Sequence, residues 1–235
     1  MKTFNHESLE IIGDITRKNI SGKRLYETPD GNFPSITTVL SSLSKASIQE
    51  WRNRVGEAEA NKISTQASRR GTKTHKIIED YLQNKQDYLS GHFPDNIELF
   101  KSVQSILDIH IGNIYGLEVS LWSKELGVAG QCDCIAEYDD ELSIIDWKTS
   151  SKPKREEWIE SYKLQGTAYA KMYEERTGIK ISQVVIVIAV INSDPQVFFA
   201  YPDENIERLK EVINYKELLM LKCMKKEQEL KYHKL

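Results

Sequence analysis

The sequence predicts a mixed α/β (α+β) fold: a central mixed sheet flanked by helices, with an N-terminal helical extension. Three observations predict it. Apolar residues recur at helical spacing through much of the chain before His110. Three runs of β-forming residues then follow closely, over 115–123, 130–138 and 141–149. A long helical pattern, a wholly apolar run from Val184 to Ile191 and one more short β-run come after them. Helices, a three-strand meander, a helix, two strands and a helix require one sheet covered on both sides.

The elements follow in order. Arg24 to Phe33 reads as a hairpin, because Pro29-Asp30-Gly31 is a strong turn signal. Pro34-Ser35 starts a short helix over Ile36 to Leu43. Helical patterning covers Ala46 to Arg70, broken near Gly56, and a separate helix covers Thr72 to Gln83. Asp95 is the expected N-cap of a helix reaching His110. The first two strands are joined through Lys124 to Gly127, and the next two through Asp139-Asp140. A helix from Lys154 to Thr177 stops at Gly178. Gln183 to Ile191 is a strand buried on both faces, Asn192 to Pro195 a turn, and Gln196 to Tyr201 an edge strand. A lysine-rich helix runs from Glu204 to Lys231. The 235 residues are expected to form a single domain: a hairpin and helical region over 1–112, a sheet core over 113–203 and a C-terminal helix over 204–235.

Composition narrows the classes. Hydrophobic residues are 40% and charged residues 29%, which suits a packed globule and not a disordered chain. Three cysteines, Cys132, Cys134 and Cys223, are too few for a disulfide framework or a four-thiolate cluster. The longest apolar run is of strand length, so no membrane span is expected. Residues 1–7 lack an apolar signal core, and a cytoplasmic location is expected. The net charge of −3 excludes a polycation, although an acidic enzyme can still hold a nucleic acid in a locally basic cleft.

The informative feature is the hairpin carrying Gly130-Gln-Cys-Asp133 and Asp146-Trp-Lys148. A two-residue turn at Asp139-Asp140 pairs Tyr138 with Glu141 and therefore sets Asp133 opposite Asp146 on one face. Like charges directly opposite each other are destabilising. A divalent cation resolves the repulsion: facing carboxylates suit Mg²⁺ or Mn²⁺, and the backbone carbonyl of Trp147 offers another oxygen. Lys148, two residues on, shares the face. This group set suits metal-assisted phosphodiester hydrolysis. The plain alternative is a solvated hairpin with a cross-strand Asp–Lys pair. Cys132 and Cys134 are expected to point away from Asp133 as packing residues. Glu118, between Leu117 and Val119, is expected to share a polar face with Ser120.

These residues resemble the PD-(D/E)xK nuclease core, with its restriction-endonuclease-like fold. Gln165-Gly-Thr-Ala-Tyr169 is similar to the Gln-x-x-x-Tyr element of the RecB-like branch, and Arg70-Gly-Thr-Lys-Thr-His75 to its helix-borne histidine. Pro34-Ser-Ile-Thr-Thr-Val-Leu40 and Trp51 resemble phage and mitochondrial exonucleases of that branch. Cys132-Asp133 stands where the family name has proline-aspartate. The resemblance implies Asp133, Asp146 and Lys148 as catalytic residues. It implies His75, Glu118, Asp133, Asp146 and the Trp147 carbonyl as metal ligands. Arg70, Lys73, Gln165 and Tyr169 are the DNA-binding candidates. For His75 the alternative is a structural helix histidine, and for Tyr169 a place in the apolar stripe Trp158, Tyr162, Tyr169, Met172. Gln165, the polar member of that stripe, could hold a ligand carboxylate, a phosphate or a base. Arg69, Arg70, Lys73 and Lys76 form a basic cluster on one or two turns. The implied activity is a Mg²⁺- or Mn²⁺-dependent DNA exonuclease in repair, recombination or replication. Single-stranded DNA with a free end would thread beneath the N-terminal helices, where Trp51, Tyr81 and Phe100 could stack on bases. A structure- or site-specific endonuclease on the same core and a catalytically silent DNA-binding module are the rivals.

Overall fold

The computed structural model describes residues 2–7, 15–20 and 23–215. The hairpin forms where the turn signal sits. β2 (Lys23–Thr28) pairs antiparallel with β3 (Gly31–Pro34), and a strand not expected from the sequence, β1 (Thr16–Ile20), pairs with β2 from outside. This small sheet is pinned by one buried ring. Trp122 donates its indole N–H to Asp30 Oδ2 at 2.8 Å, and Arg176 lies 4.4 Å over the same ring while reaching Asp30 at 3.2 Å. The Trp122 bond, opposed by burial and aided by Arg176 and Lys124, holds the Asp30 carboxyl below the ordinary range. Asp30→Ala would orphan a buried donor. It is expected to lower the urea midpoint of unfolding with the slope unchanged. An unchanged midpoint would show that the hairpin is anchored elsewhere.

α1 (Ile36–Leu40) and α2 (Lys45–Val55) follow. Gly56, at a φ of 86°, turns the chain into α3 (Glu57–Leu82). The break expected near Gly71 is absent, and α3 runs 26 residues without interruption. A single helical glycine costs only about 1 kcal/mol. Gly71 also lies against the sheet, where an added Cβ would stand 3.7 Å from Thr149 Oγ1. α4 (Pro94–His110) begins with proline at its first position and Phe93 as N-cap, so Asp95 sits in the first turn and does not cap.

The meander is built as its sequence suggests. β4 (Ile111–Ser123), β5 (Val128–Tyr138) and β6 (Glu141–Ser150) pair antiparallel. Asp139 and Asp140 take φ of 52° and 63°, the left-handed pair that a two-residue hairpin turn needs. Tyr138 faces Glu141 and Ile135 faces Ile144, as expected. A 3₁₀ turn over Glu156–Trp158 precedes α5 (Glu160–Thr177), which therefore starts later than its pattern implied and ends at Gly178 in the left-handed region. α5 supplies the crossover that a parallel neighbour requires. β7 (Gln183–Val190) then joins β6 in parallel, and β8 (Gln196–Ala200) lies at the edge. The sheet order is β4-β5-β6-β7-β8.

Two cores cover the sheet. On one face, α1, α5 and a helix over 202–215 bury Ile36, Ile144, Leu164, Tyr169, Ile186 and Leu209. On the other, α3 and α4 bury Ile77, Tyr81, Phe100, Leu107, Trp147 and Val187. Tyr81 and Phe100 are fully enclosed, so neither is available to stack on bases. No helix among the described residues is long and apolar enough to cross a membrane. The rest of the expected C-terminal helix, from 216 to 231, lies outside the described residues.

Candidate active site

The site forms where the regular sheet fails. Residues two apart on a strand share a face. On β5, however, Cys132 packs with the α5-side core and Cys134 with the α3-side core. On β4, Val119 packs with the first and Leu117 with the second. The register pairs Val119 with Cys132 and Leu117 with Cys134, so both strands reverse their faces at one level. Glu118, at a φ of 53°, and Asp133 are the residues at the reversal. Two expectations change here. Cys132 and Cys134 do not share a face, and Glu118 does not simply alternate with its neighbours. Both cysteines are packing residues, their thiols pushed up by burial.

The β5–β6 ladder ends at the same level, with Cys134 opposite Ile145 as its last rung. Asp133 and Asp146 are next in register but form no backbone pair. Instead, the Trp147 amide donates to Asp133 Oδ2 at 3.0 Å. A carboxylate thus takes the place of a backbone acceptor, and the strands fork. In an antiparallel pair a residue's N–H and C=O point to the same neighbour. The Trp147 carbonyl therefore faces the fork together with its amide.

Each aspartate meets a different helix. His75, from α3, places Nδ1 3.5 Å from Asp133 Oδ2. One ligand atom each from His75, Glu118 and Asp133 lie within 4.8 Å of one another. Asp146, only 1% exposed, takes a 3.0 Å hydrogen bond on Oδ1 from Gln165 Nε2 of α5. Its Oδ2 is in ion contact with Lys148 but has no well-directed hydrogen bond. The Lys148 ammonium lies 5.2 Å from the centre of the Tyr162 ring, a stacking partner that the α5 stripe contained but did not single out.

Charge at the fork is out of balance. Burial, then Asp133 and Glu79, push the Glu118 carboxyl up to about 7 against the pull of Lys76. Burial pushes Asp146 up to about 6, opposed by Lys148 and reinforced by Asp133. For Lys148, burial is outweighed by Asp146 and Asp133, so its ammonium is held more firmly than usual. Two carboxylates and one imidazole around a space, with the buried Asp146 Oδ2 that lacks a well-directed hydrogen bond nearby, fit a hard divalent cation.

The remaining candidates separate. Lys73 is exposed and shares a pocket of about 490 Å³ with His75, Glu118 and Asp133. Arg70 is half-buried, in a larger neighbouring groove. Lys76 is occupied by Glu79 and Asp80, at 2.9 and 3.0 Å. Tyr169 is 2% exposed and cannot reach a substrate, and its hydroxyl is 3.4 Å from Gln165 Nε2. Gln165 is thus a holder of Asp146 first. Tyr169 also explains Gly130, since a Cβ there would fall 2.7 Å from its ring and 3.1 Å from Ile36. Gly130→Ala is expected to cost about 1–3 kcal/mol by overpacking and to tilt Tyr169 away from Gln165. A crystal structure of the variant with Tyr169 unmoved, or an unchanged unfolding midpoint, would refute this.

A sequence profile of the PD-(D/E)XK nuclease superfamily matches residues 41–229. Mitochondrial genome maintenance exonuclease 1 of Mus musculus is 29% identical over 131 residues, covering 52% of this chain and 38% of that protein. The Homo sapiens protein of the same name is 29% identical over 178 residues, covering 69% of this chain and 51% of its own. The Xenopus tropicalis protein is 26% identical over 177 residues, covering 71% and 51%. The chain thus spans about half or less of the length of these curated relatives. A profile match over most of the chain coincides with a five-stranded mixed sheet flanked by helices. The chain belongs to the PD-(D/E)XK nuclease superfamily.

Proposed function

We propose that this chain is a Mg²⁺- or Mn²⁺-dependent DNA exonuclease that hydrolyses single strands from a free end. One observation carries the reading: at the strand fork, His75, Glu118 and Asp133 converge beside a buried Asp146 paired to Lys148. The cation, when bound, supplies Lewis acidity toward a phosphate oxygen and an attacking water. His75, Glu118 and Asp133 provide its donors, with the Trp147 carbonyl and Asp146 adjoining. Lys148, held between Asp146 and the Tyr162 ring, offsets the negative charge that builds on the phosphoryl oxygens. Gln165 keeps the Asp146 carboxylate in one orientation.

Support for end dependence comes from the relatives, which are named exonucleases. Support for a single strand comes from α2, which buries none of its residues, and from the first half of α3, which buries only Ala60. These helices form an arm continuous with the helix that carries His75. Trp51 and Arg52, both half-buried, lie on it. The test is digestion of end-labelled linear and closed circular DNA, single- and double-stranded, with Mg²⁺ or Mn²⁺. Rapid loss of linear single strands and survival of circles is expected. Circles cut as fast as linear strands would refute end dependence, and no cleavage with either metal would refute the nuclease reading.

A further inference from the structure

A groove of about 1360 Å³ lies outside the fork, between α3, α4 and the turn from β7 to β8. Arg69, Arg70 and Lys73 line it from α3, while Asp95 and Glu98 of α4 and Asp194 of the turn line it from the other sides. The cations are unspent. Arg70 Nε is buried with no hydrogen-bond partner. Among the described residues, Arg69, Arg70 and Lys73 form no ion pair, whereas Lys76 is held by two carboxylates. Burial lowers the pKa of Arg70 with no carboxylate opposing it. Arg70 is half-buried, and its Nε–H is shut off from water without an acceptor, which is costly; an anion oxygen in the groove supplies one.

We propose that this groove receives the terminal phosphate monoester of the strand being degraded, with Arg70 as its principal contact. The inference rests on the nuclease reading above. A monoester carries more charge than an internal phosphodiester and presents oxygens that match the planar guanidinium fork. Asp95, Glu98 and Asp194 on the other walls disfavour a run of further phosphates along the groove, which leaves room for a single phosphate group beside Arg70. Thr72 and Lys73 line both this groove and the pocket that holds His75, Glu118 and Asp133, so an end held in the groove adjoins the fork.

The experiment compares linear single strands bearing phosphate or hydroxyl at the 5′ end, and separately at the 3′ end. The readout is the ratio of kcat/KM for phosphorylated over hydroxyl ends, which a general loss of activity does not alter. A ratio of about 10 or more is expected at one of the two ends, the worth of charge-assisted hydrogen bonds to one arginine. Arg70→Gln is expected to bring it close to one. Ratios near one at both ends in the wild type, or an undiminished ratio in the variant, would overturn the proposal. Inorganic phosphate, titrated into metal-free protein with EDTA, provides a readout independent of cleavage. It is expected to shift the Arg70 Nε–H resonance, and an unmoved resonance overturns the groove assignment. If no strand is cleaved, the nuclease reading fails and the phosphate titration alone decides the groove.

Discussion

Asp146→Asn is expected to slow cleavage of linear DNA by about a thousandfold or more while DNA affinity changes little. Asparagine keeps the shape but removes the charge. The side chain sits 1% exposed between Gln165 and Lys148, so no solvent can replace what is lost. Lys148 is then left as a largely buried cation without its nearest counter-charge. Folding, however, raises the Asp146 carboxyl to about 6, so its charge at pH 8 itself opposes folding and asparagine removes that cost. The two effects offset, and the urea midpoint at pH 8 should stay close to that of wild type. A large fall in the midpoint alongside the loss of activity would mean that Asp146 serves mainly to keep the fold. Cleavage by Asp146→Asn within about tenfold of wild type would remove it from the chemistry.

The second large effect concerns pH. Glu118 titrates near 7 in the folded chain, against about 4.5 for an ordinary glutamate. Asp146 titrates near 6, against about 3.8. A carboxyl raised by folding favours the folded state only while it keeps its proton. Between pH 4.5 and 7 the unfolded chain releases the Glu118 proton first, so this residue destabilises the metal-free protein progressively as pH rises. Glu118→Gln cannot ionise. The variant should match wild type near pH 4 and be more stable at pH 8, on the order of 2 kcal/mol. Divalent cation reverses the order. Ligand carboxylates must be ionised to bind it, so Mg²⁺ or Mn²⁺ should raise the melting temperature of wild type more at pH 8 than at pH 5.5. The increment should be smaller in Glu118→Gln. Equal increments at both pH values would separate Glu118 from the metal site.

Much of the frame was legible along the chain. Pro29-Asp30-Gly31 and Asp139-Asp140 announced their turns, and the second set the register from Tyr138 opposite Glu141 as far as Cys134 opposite Ile145. Gly71 misled because a glycine punctuates helices on average, yet here α3 continues through it beside β6, where even a Cβ would meet only an ordinary 3.7 Å contact with Thr149. Tyr169 misled in the other direction. Its place in a motif suggested contact with DNA, while its place in an apolar stripe indicated burial, and burial is what the core required.

What the sequence by itself determined is most of the elements, the hairpin register and the chemical kinds of residue that a cation site needs. Those follow from interactions a few residues long: side-chain period, turn dihedrals and cross-strand neighbours. Only the tertiary structure decided which of those residues meet. The paired reversal at Glu118 and Asp133, the bond from the Trp147 amide and the arrival of His75 depend on how α3 seats against the opposite face of the sheet from α5. That seating balances two cores against each other across many residues, and no local pattern carries it.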